Sequence, residues 1–292
     1  MVLGSIEAGG TKFVCAVSDE QFEILERVSF STITPEETMK LVHEFFDRYE
    51  LSALAIGSFG PVDVNRESAT YGHILNTPKL AWKDFDLVGS LKSRYSVPIA
   101  LTTDVNGAAL GELHFGAAKG LDSCLYLTVG TGIGGGAVVS GHILKGYGHP
   151  EMGHVLVRTH PDDEFRGHCP IHGNCLEGMA AGPAIEARWG TKAVNLESNH
   201  PAWDLEAYYI AQGLMSYILT LSPKRIILGG GVMKQAHLFP KIRKNLETLL
   251  NGYVNLPDLS TYIVPPALGD NAGILGGLYL AKKGSESHEA IS

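Results

Sequence analysis

Nowhere in its 292 residues does the chain string together the about 18 apolar side chains that a bilayer-spanning helix needs, so no transmembrane helix is expected. The opening segment MVLGSIEAGG has neither a basic n-region nor an apolar h-region, and nothing in it suggests secretion. Basic residues are short as well. The 23 Lys and Arg stand against 31 Asp and Glu, a net charge of −8, which argues against nucleic-acid binding. A phosphate-rich ligand would then depend on backbone N–H groups and a metal ion, because no basic patch stands out. Cysteines number only four. Cys15 and Cys124 lie in apolar runs and read as core. Cys169 and Cys175 lie among histidines, which in a cytosolic chain points to metal before disulfide. No tract is biased enough for disorder, and the cytoplasm is the expected compartment.

What is present is an ordinary globular composition, 45% hydrophobic and 18% charged, in a chain long enough for two domains of about 100–200 residues. Strands are expected over Leu3 to Ala8, Lys12 to Val17 and Ile24 to Phe30. Thr34, Pro35 and Glu37 then mark a helix start with cap, N1 proline and N3 acid. Val42, Phe45, Phe46 and Tyr49 share one face of that helix. Strands at Ala53 to Ser58 and Pro98 to Thr103 and a helix from Asn106 to Phe115 complete the first half. In the second half, strands fall at Cys124 to Val129, Gly136 to Ser140, Arg225 to Leu228 and Ser260 to Val264. Helices are expected at Leu205 to Leu221, Phe239 to Leu250 and Asn271 to Lys282. The stretch from Gly4 and the stretch from Leu125 repeat one order: strand, glycine-rich turn, strand. The class is α/β with open mixed sheets and a ligand cleft between two similar halves. Residues 1–117, completed by a helix at about 270–285, form the expected first domain, and residues 118–269 the second.

Three glycine turns stand at strand ends. Gly9 and Gly10 between Ala8 and Thr11 read, taken alone, as a plain hairpin turn, although bare backbone there also suits a phosphate. Gly130-Thr131-Gly132-Ile133-Gly134-Gly135 matches the dinucleotide spacing, but a β-branched strand follows where that fingerprint demands a helix. No glycine-lysine-serine/threonine opens a helix either, so a Walker loop is excluded. Gly229-Gly230-Gly231 is too costly in chain entropy to be filler, and flat access for an adenine or ribose is the gain it suggests. Together the turns point to a nucleotide.

Asp104 follows a buried strand and opens a helix, where an isolated aspartate reads first as an N-cap. It also stands where phosphoryl transfer to an alcohol needs a carboxylate to take the hydroxyl proton. His154, Cys169, His172 and Cys175 supply the two nitrogens and two sulfurs of a tetrahedral structural zinc. His160 and His168 are substitutes in that set. Such a zinc would pin Glu151 and Glu177, which could then accept hydrogen bonds from sugar hydroxyls. The glycine turns lie elsewhere in the chain and are expected to keep their shape without the metal.

EAGGTKF, TDVNGAALGE, TVGTGIGGG, GHPEMGH, CPIHGNCLEG, AAGPAIEARWG and ILGGGVM together resemble the ROK family (repressors, open reading frames and kinases), above all its bacterial fructokinases, from Ile6 to about Gly277. The resemblance implies a two-domain actin-like (ribonuclease H-like) fold and Mg²⁺-assisted transfer from ATP to a hexose, D-fructose giving D-fructose 6-phosphate. Asp104 would be the base. Glu151, His154 and Glu177 would hold the sugar, with Gly60, Pro61, Asn76 and Thr103 as further candidates. Gly9, Gly10, Thr11, Lys12, Gly130, Thr131 and Gly132 would hold phosphates. Pro183, Gly229, Gly230, Gly231, Val232 and Met233 would lie by the nucleoside. Partners would be the hexose and ATP, with no nucleic acid and no membrane, and a homodimer is admitted.

Two positions depart from the common kinase pattern: Thr103 replaces asparagine before the aspartate, and Cys-x2-His replaces Cys-x-Cys in the zinc loop. Both favour the fructokinase branch over a glucokinase one and leave mannose, glucose or N-acetylmannosamine open as substrates. A sugar-sensing regulator of the same family would carry a helix-turn-helix ahead of the first strand, here expected from Leu3, and the acidic balance also opposes it. A catalytically dead sugar-binding module would lack Asp104 or the phosphate turns, and both are present.

Overall fold

The structure is a computed structural model that describes residues 1–77 and 79–289. In chain order, β1 (Leu3–Ala8), β2 (Lys12–Ser18) and β3 (Ile24–Ser31) precede α1 (Pro35–Phe46) and β4 (Ala53–Ser58). Next come α2 (Leu87–Lys92), β5 (Ile99–Thr103), α3 (Asp104–His114), β6 (Cys124–Val129), β7 (Ile133–Val139) and β8 (His142–Ile143). The chain continues through α4 (Leu176–Ala180), α5 (Gly182–Trp189), α6 (Ala202–Leu221), β9 (Ile226–Gly229) and α7 (Leu238–Leu250). It closes with α8 (Leu259–Tyr262), β10 (Ile263–Val264) and α9 (Ala272–Glu289). Among the described residues, no helix is long and apolar enough to cross a membrane.

The chain divides into two compact units. One holds Met1–Lys119, Ile143–His149 and the chain from Leu268 on, and the other holds Gly120–His142 and Pro150–Ala267. Sequence reasoning assigns Ile143–His149 to the second domain. The segment groups with the first unit, where His149 Nδ1 lies 3.4 Å from Asn106 Nδ2.

Each unit is built on a five-stranded mixed sheet, ordered β3-β2-β1-β4-β5 in the first and β10-β9-β6-β7-β8 in the second. In the first, β1 runs antiparallel to β2 and parallel to β4. In the second, β6 runs antiparallel to β7 and parallel to β9. The two glycine hairpins thus occupy equivalent places, which is the topological content of the internal repeat.

Strands β1, β2 and β4 of the first sheet are buried on both faces, whereas the edge strand β3 alternates partly buried and exposed residues. Ile6, Phe13, Cys15, Leu54 and Ile56 pack with Met39, Val42, Phe45 and Phe46 of α1. Trp82 is fully buried in that cluster against the rings of Phe13, Phe59 and Phe85, its indole N–H donating to Ile33 O at 2.7 Å. Truncating it to alanine would cost about 3–5 kcal/mol. On the opposite face Leu3, Val14, Ala53 and Ala55 meet Ile274, Leu278 and Ala281 of α9. Helices α3 and α9 approach so closely that a Cβ on Gly276 would stand 1.8 Å from Gly107 O. The small-residue pattern of both segments therefore serves helix packing.

Local signals placed most elements within a residue or two. Thr34 caps α1, its hydroxyl accepting from Glu37 N at 3.3 Å. Five expectations need correction. Helix α6 begins at Ala202 and not at Leu205, and α9 runs past Lys282 to Glu289. The strand expected over Ser260 to Val264 is only Ile263–Val264, because the Asp258 carboxylate accepts from Ser260 N at 2.7 Å and winds a helical turn first. The strand expected from Gly136 begins at Ile133, since Gly134 and Gly135 pair in the ladder with Thr128 and Leu127. Helix α3 begins at Asp104, two residues early, and its cap is Thr103.

Candidate functional site

The sheet registers set the frame. Ala8 pairs with Ser58 and Ser58 with Thr103, so β1, β4 and β5 end side by side at their carboxyl edges. Ligands of open α/β sheets bind at that edge. Gly9, Gly10, Phe59-Gly60-Pro61 and Asp104 all leave it there. Phe59 N donates to Ala8 O at 2.7 Å and Leu75 N to Pro61 O at 2.8 Å, which brings the Gly60-Pro61 corner and the exposed Asn76 beside the first glycine turn.

The Thr103 hydroxyl accepts from Asn106 N at 3.3 Å with Thr103 in extended backbone. Cap duty therefore does not fall on Asp104, whose Oδ1 accepts from Val105 N at 2.9 Å. Sequence reasoning passed over a neighbour. Glu7, on β1, has its carboxyl pushed up to about 7, by burial first and by the charge of Asp104 next, with Asp270 adding and Lys12 and Arg27 opposing. A lone acid inside the apolar strand LGSIEA, two residues before the paired glycines, is the signal that could have found it. His149 was also missed. Burial holds its imidazole below the usual range, which favours the neutral ring facing Asn106.

In the first glycine turn, Gly9 is forced by geometry: a Cβ there would stand 2.6 Å from Lys12 O. Gly10 is different. A Cβ on it would meet only Lys79 Cε, at 3.6 Å. Lys79 reaches over the turn from the loop before Trp82, and the Lys12 side chain is exposed beside it. Folding therefore brings Lys79 to the turn from a separate segment.

In the second unit three distant stretches meet. Gly130 N bonds Gly132 O at 2.9 Å to close the turn after β6, and Gly182 N donates to Gly130 O at 2.7 Å at the start of α5, next to Pro183. A Cβ on Gly130 would lie 3.7 Å from Gly231 N. The triple glycine is mostly structural. A Cβ on Gly229 would strike the Tyr126 hydroxyl at 2.3 Å, and Gly230 has φ +91° with Val129 O where its Cβ would go. Gly231 alone is open, and Val232 and Met233 are buried. Thr131 is exposed at the tip of the Gly130–Gly132 turn.

The histidine-cysteine set assembles. His154 Nδ1 lies 3.5 Å from Cys175 Sγ and 3.8 Å from Cys169 Sγ, and His172 Nδ1 lies 3.8 Å from Cys169 Sγ. One ligand atom from each of the four residues falls within 4.8 Å of all the others. A tetrahedral zinc with bonds of about 2.0–2.3 Å sets ligand atoms about 3.3–3.8 Å apart, so the donors fit it. Backbone N–H groups of His172 and Gly178 point at the sulfurs, at 3.4 and 3.5 Å, as they do toward thiolates. Burial pushes the Cys175 thiol up to about 11, so a thiolate there requires a cation. His160 and His168 lie outside the set: His160 pairs with Asp162, and His168 N donates to Gly178 O.

Both carboxylates expected to hold the sugar flank the cluster. Burial raises the Glu151 carboxyl, with His154 opposing and Glu177 adding. Glu177 Oε1 lies 3.9 Å from His154 Nε2, and its Oε2 accepts from Ile133 N at 2.9 Å. The metal loop and the second glycine turn therefore touch, which corrects the expectation that they are independent.

A Bacillus subtilis (strain 168) protein is 53% identical to this chain over 293 residues, covering 99% of this chain and 98% of its own length. A fructokinase of Streptococcus mutans serotype c is 48% identical over 286 residues, covering 96% and 97%. The crystal structure of a ROK hexokinase from Thermus thermophilus matches with a TM-score of 0.81 at 28% identity, over 98% of this chain and 100% of that one. The fold is the two-domain actin-like fold of such sugar kinases. The ROK family model matches residues 3–284, and the chain belongs to the ROK family.

Proposed function

We propose that the protein is a cytoplasmic fructokinase that transfers the γ-phosphoryl group of ATP to D-fructose, giving D-fructose 6-phosphate. The observation that carries this reading is Asp104, held at the carboxyl edge of β5 by a helix that Thr103 caps, beside the glycine turn after β1. Fructose as the sugar is supported by the Streptococcus mutans relative's name.

The chemistry follows from where charge moves. Asp104 accepts the proton of the attacking hydroxyl as its oxygen closes on phosphorus. Lys12, Lys79 and the bare amides of the glycine turns face the negative charge of the phosphates. Mg²⁺ bound with ATP would supply positive charge against the phosphates during transfer. Glu151, Glu177 and the free ring nitrogen of His154 take sugar hydroxyls, with Gly60, Pro61, Asn76 and Thr103 as further sugar contacts. Pro183 and Gly231 line the nucleoside, with Gly229, Gly230, Val232 and Met233 packed behind them. His154, Cys169, His172 and Cys175 would hold a structural zinc, which would fix the loop and, with all four positions taken by protein ligands, would leave none open for the transfer.

A coupled ADP-release assay over fructose, mannose, glucose and N-acetylmannosamine tests the reading. The highest kcat/KM is expected with fructose. Preference for another hexose would correct the substrate, and no ADP release with any would end the kinase assignment.

A further inference from the structure

Glu177 touches two features at once. Its Oε2 holds the N–H of Ile133, the residue that ends the Gly130–Gly132 turn and starts β7. Its Oε1 faces Nε2 of His154, whose Nδ1 lies inside the metal cluster. A Cβ on Gly132 would stand 2.7 Å from the same Oε2, so carboxylate and turn are packed against each other with no room for a side chain. A second link runs through the backbone. Helix α4 carries Glu177 and begins directly after Cys175, and α5 follows through Gly182, whose N–H holds Gly130 O. Both ends of the turn are thus gripped by residues just downstream of a metal ligand.

The loop that carries this grip has little else to hold it. From His168 to Cys175 its backbone bonds, among the described residues, are the Cys169–Gly173 pair, one from His168 N to Gly178 O and one from Met179 N to Cys175 O at the start of α4. A cation on four ligands would supply the missing constraint, and would also fix which way His154 turns Nε2.

We propose that Glu177 is a positioning residue that couples the metal cluster to nucleotide binding, holding the Gly130–Gly132 turn in its phosphate-receiving shape while the cluster is occupied. The ligand of the turn is taken from the kinase reading above. Metal then supports both substrates. A purely sugar-side role would leave the nucleotide indifferent to it.

The test is calorimetric titration of ADP into zinc-loaded protein, and into protein stripped with a chelator and then desalted. Glu177→Ala and Glu177→Gln are treated alike, with zinc content measured in each. Stripping wild type is expected to weaken ADP on the order of tenfold. Glu177→Ala should match that loss while still holding zinc, and stripping it should add little. Glu177→Gln keeps an oxygen for Ile133 N–H and should retain ADP affinity while losing affinity for the sugar. Should stripped protein unfold by circular dichroism, the zinc-loaded Glu177→Ala comparison decides. Equal ADP affinity in that variant and in wild type overturns the coupling alone. No ADP binding to zinc-loaded wild type overturns the kinase reading and the coupling with it.

Discussion

The Thr103 hydroxyl, and not the Asp104 carboxylate, caps helix α3, accepting from Asn106 N at 3.3 Å. Helix capping and proton transfer are therefore divided between adjacent residues, and the two can be removed separately. Thr103→Ala should lower stability by about 1 kcal/mol, the usual cost of losing a side-chain cap. Asp104→Asn should leave stability nearly unchanged and cut kcat on the order of 10²–10⁴. Urea unfolding and steady-state kinetics on both variants check this. More than a tenth of wild-type turnover in Asp104→Asn would remove it from the role of base.

Glu7 predicts a pH signature. Its carboxyl titrates near 7 in the folded chain and near 4.5 when unfolded. Between those values the folded state holds a proton that the unfolded state has released, so stability falls as pH rises through the window and levels off above it. The loss is at most about 3 kcal/mol. Glu7→Gln cannot ionise, so unfolding free energies of wild type minus variant should slope downward from pH 4.5 to 7. A flat difference would mean that Glu7 ionises normally in the fold.

Protein purified without added metal should carry one zinc per chain by elemental analysis. Cys169→Ser removes one of four donors and should lose zinc on dialysis that wild type survives. The metal's binding energy is folding energy for its loop, so the melting temperature should drop with it. Zinc retained with unchanged affinity in Cys169→Ser would show that the ligand set is wrong.

Arg188 and Asp163 form an ion pair at 3.2 Å with side chains only 6% and 4% exposed. Arg188 also donates to Met179 O at 3.0 Å and lies over the Phe165 ring, while Asp163 accepts from the Tyr209 hydroxyl at 2.6 Å. This network anchors the irregular stretch between the two halves of the metal cluster onto α5 and α6. Arg188→Ala leaves a buried carboxylate without its cation and should cost about 3–5 kcal/mol. Amide exchange around Asp163 should quicken with it. A loss below about 1 kcal/mol in urea would mean that Asp163 reaches water when the arginine is gone.

Much of this molecule is legible along the chain because the information is local. The Thr34 cap and the buried positions of α1 lie within a few turns of each other. The β1–β2 and β6–β7 hairpins announce themselves through glycines between apolar runs. The cluster of His154, Cys169, His172 and Cys175 is legible because such side chains are rare and closely spaced here. Other decisions belonged to contacts between residues far apart in sequence. No local pattern shows that Lys79 reaches the Gly10 turn, that Tyr126 and Val129 demand Gly229 and Gly230, or that Glu177 holds Ile133. Each depends on which strand lies beside which and in what register, and long-range packing sets that. The sequence by itself determined most of the elements, the histidines and cysteines that cluster, and the acid at the end of β5. Only the tertiary structure decided which glycines stay open to a ligand and which carboxylate ties the metal loop to the turn, because close approach is a property of packed surfaces and not of neighbouring residues.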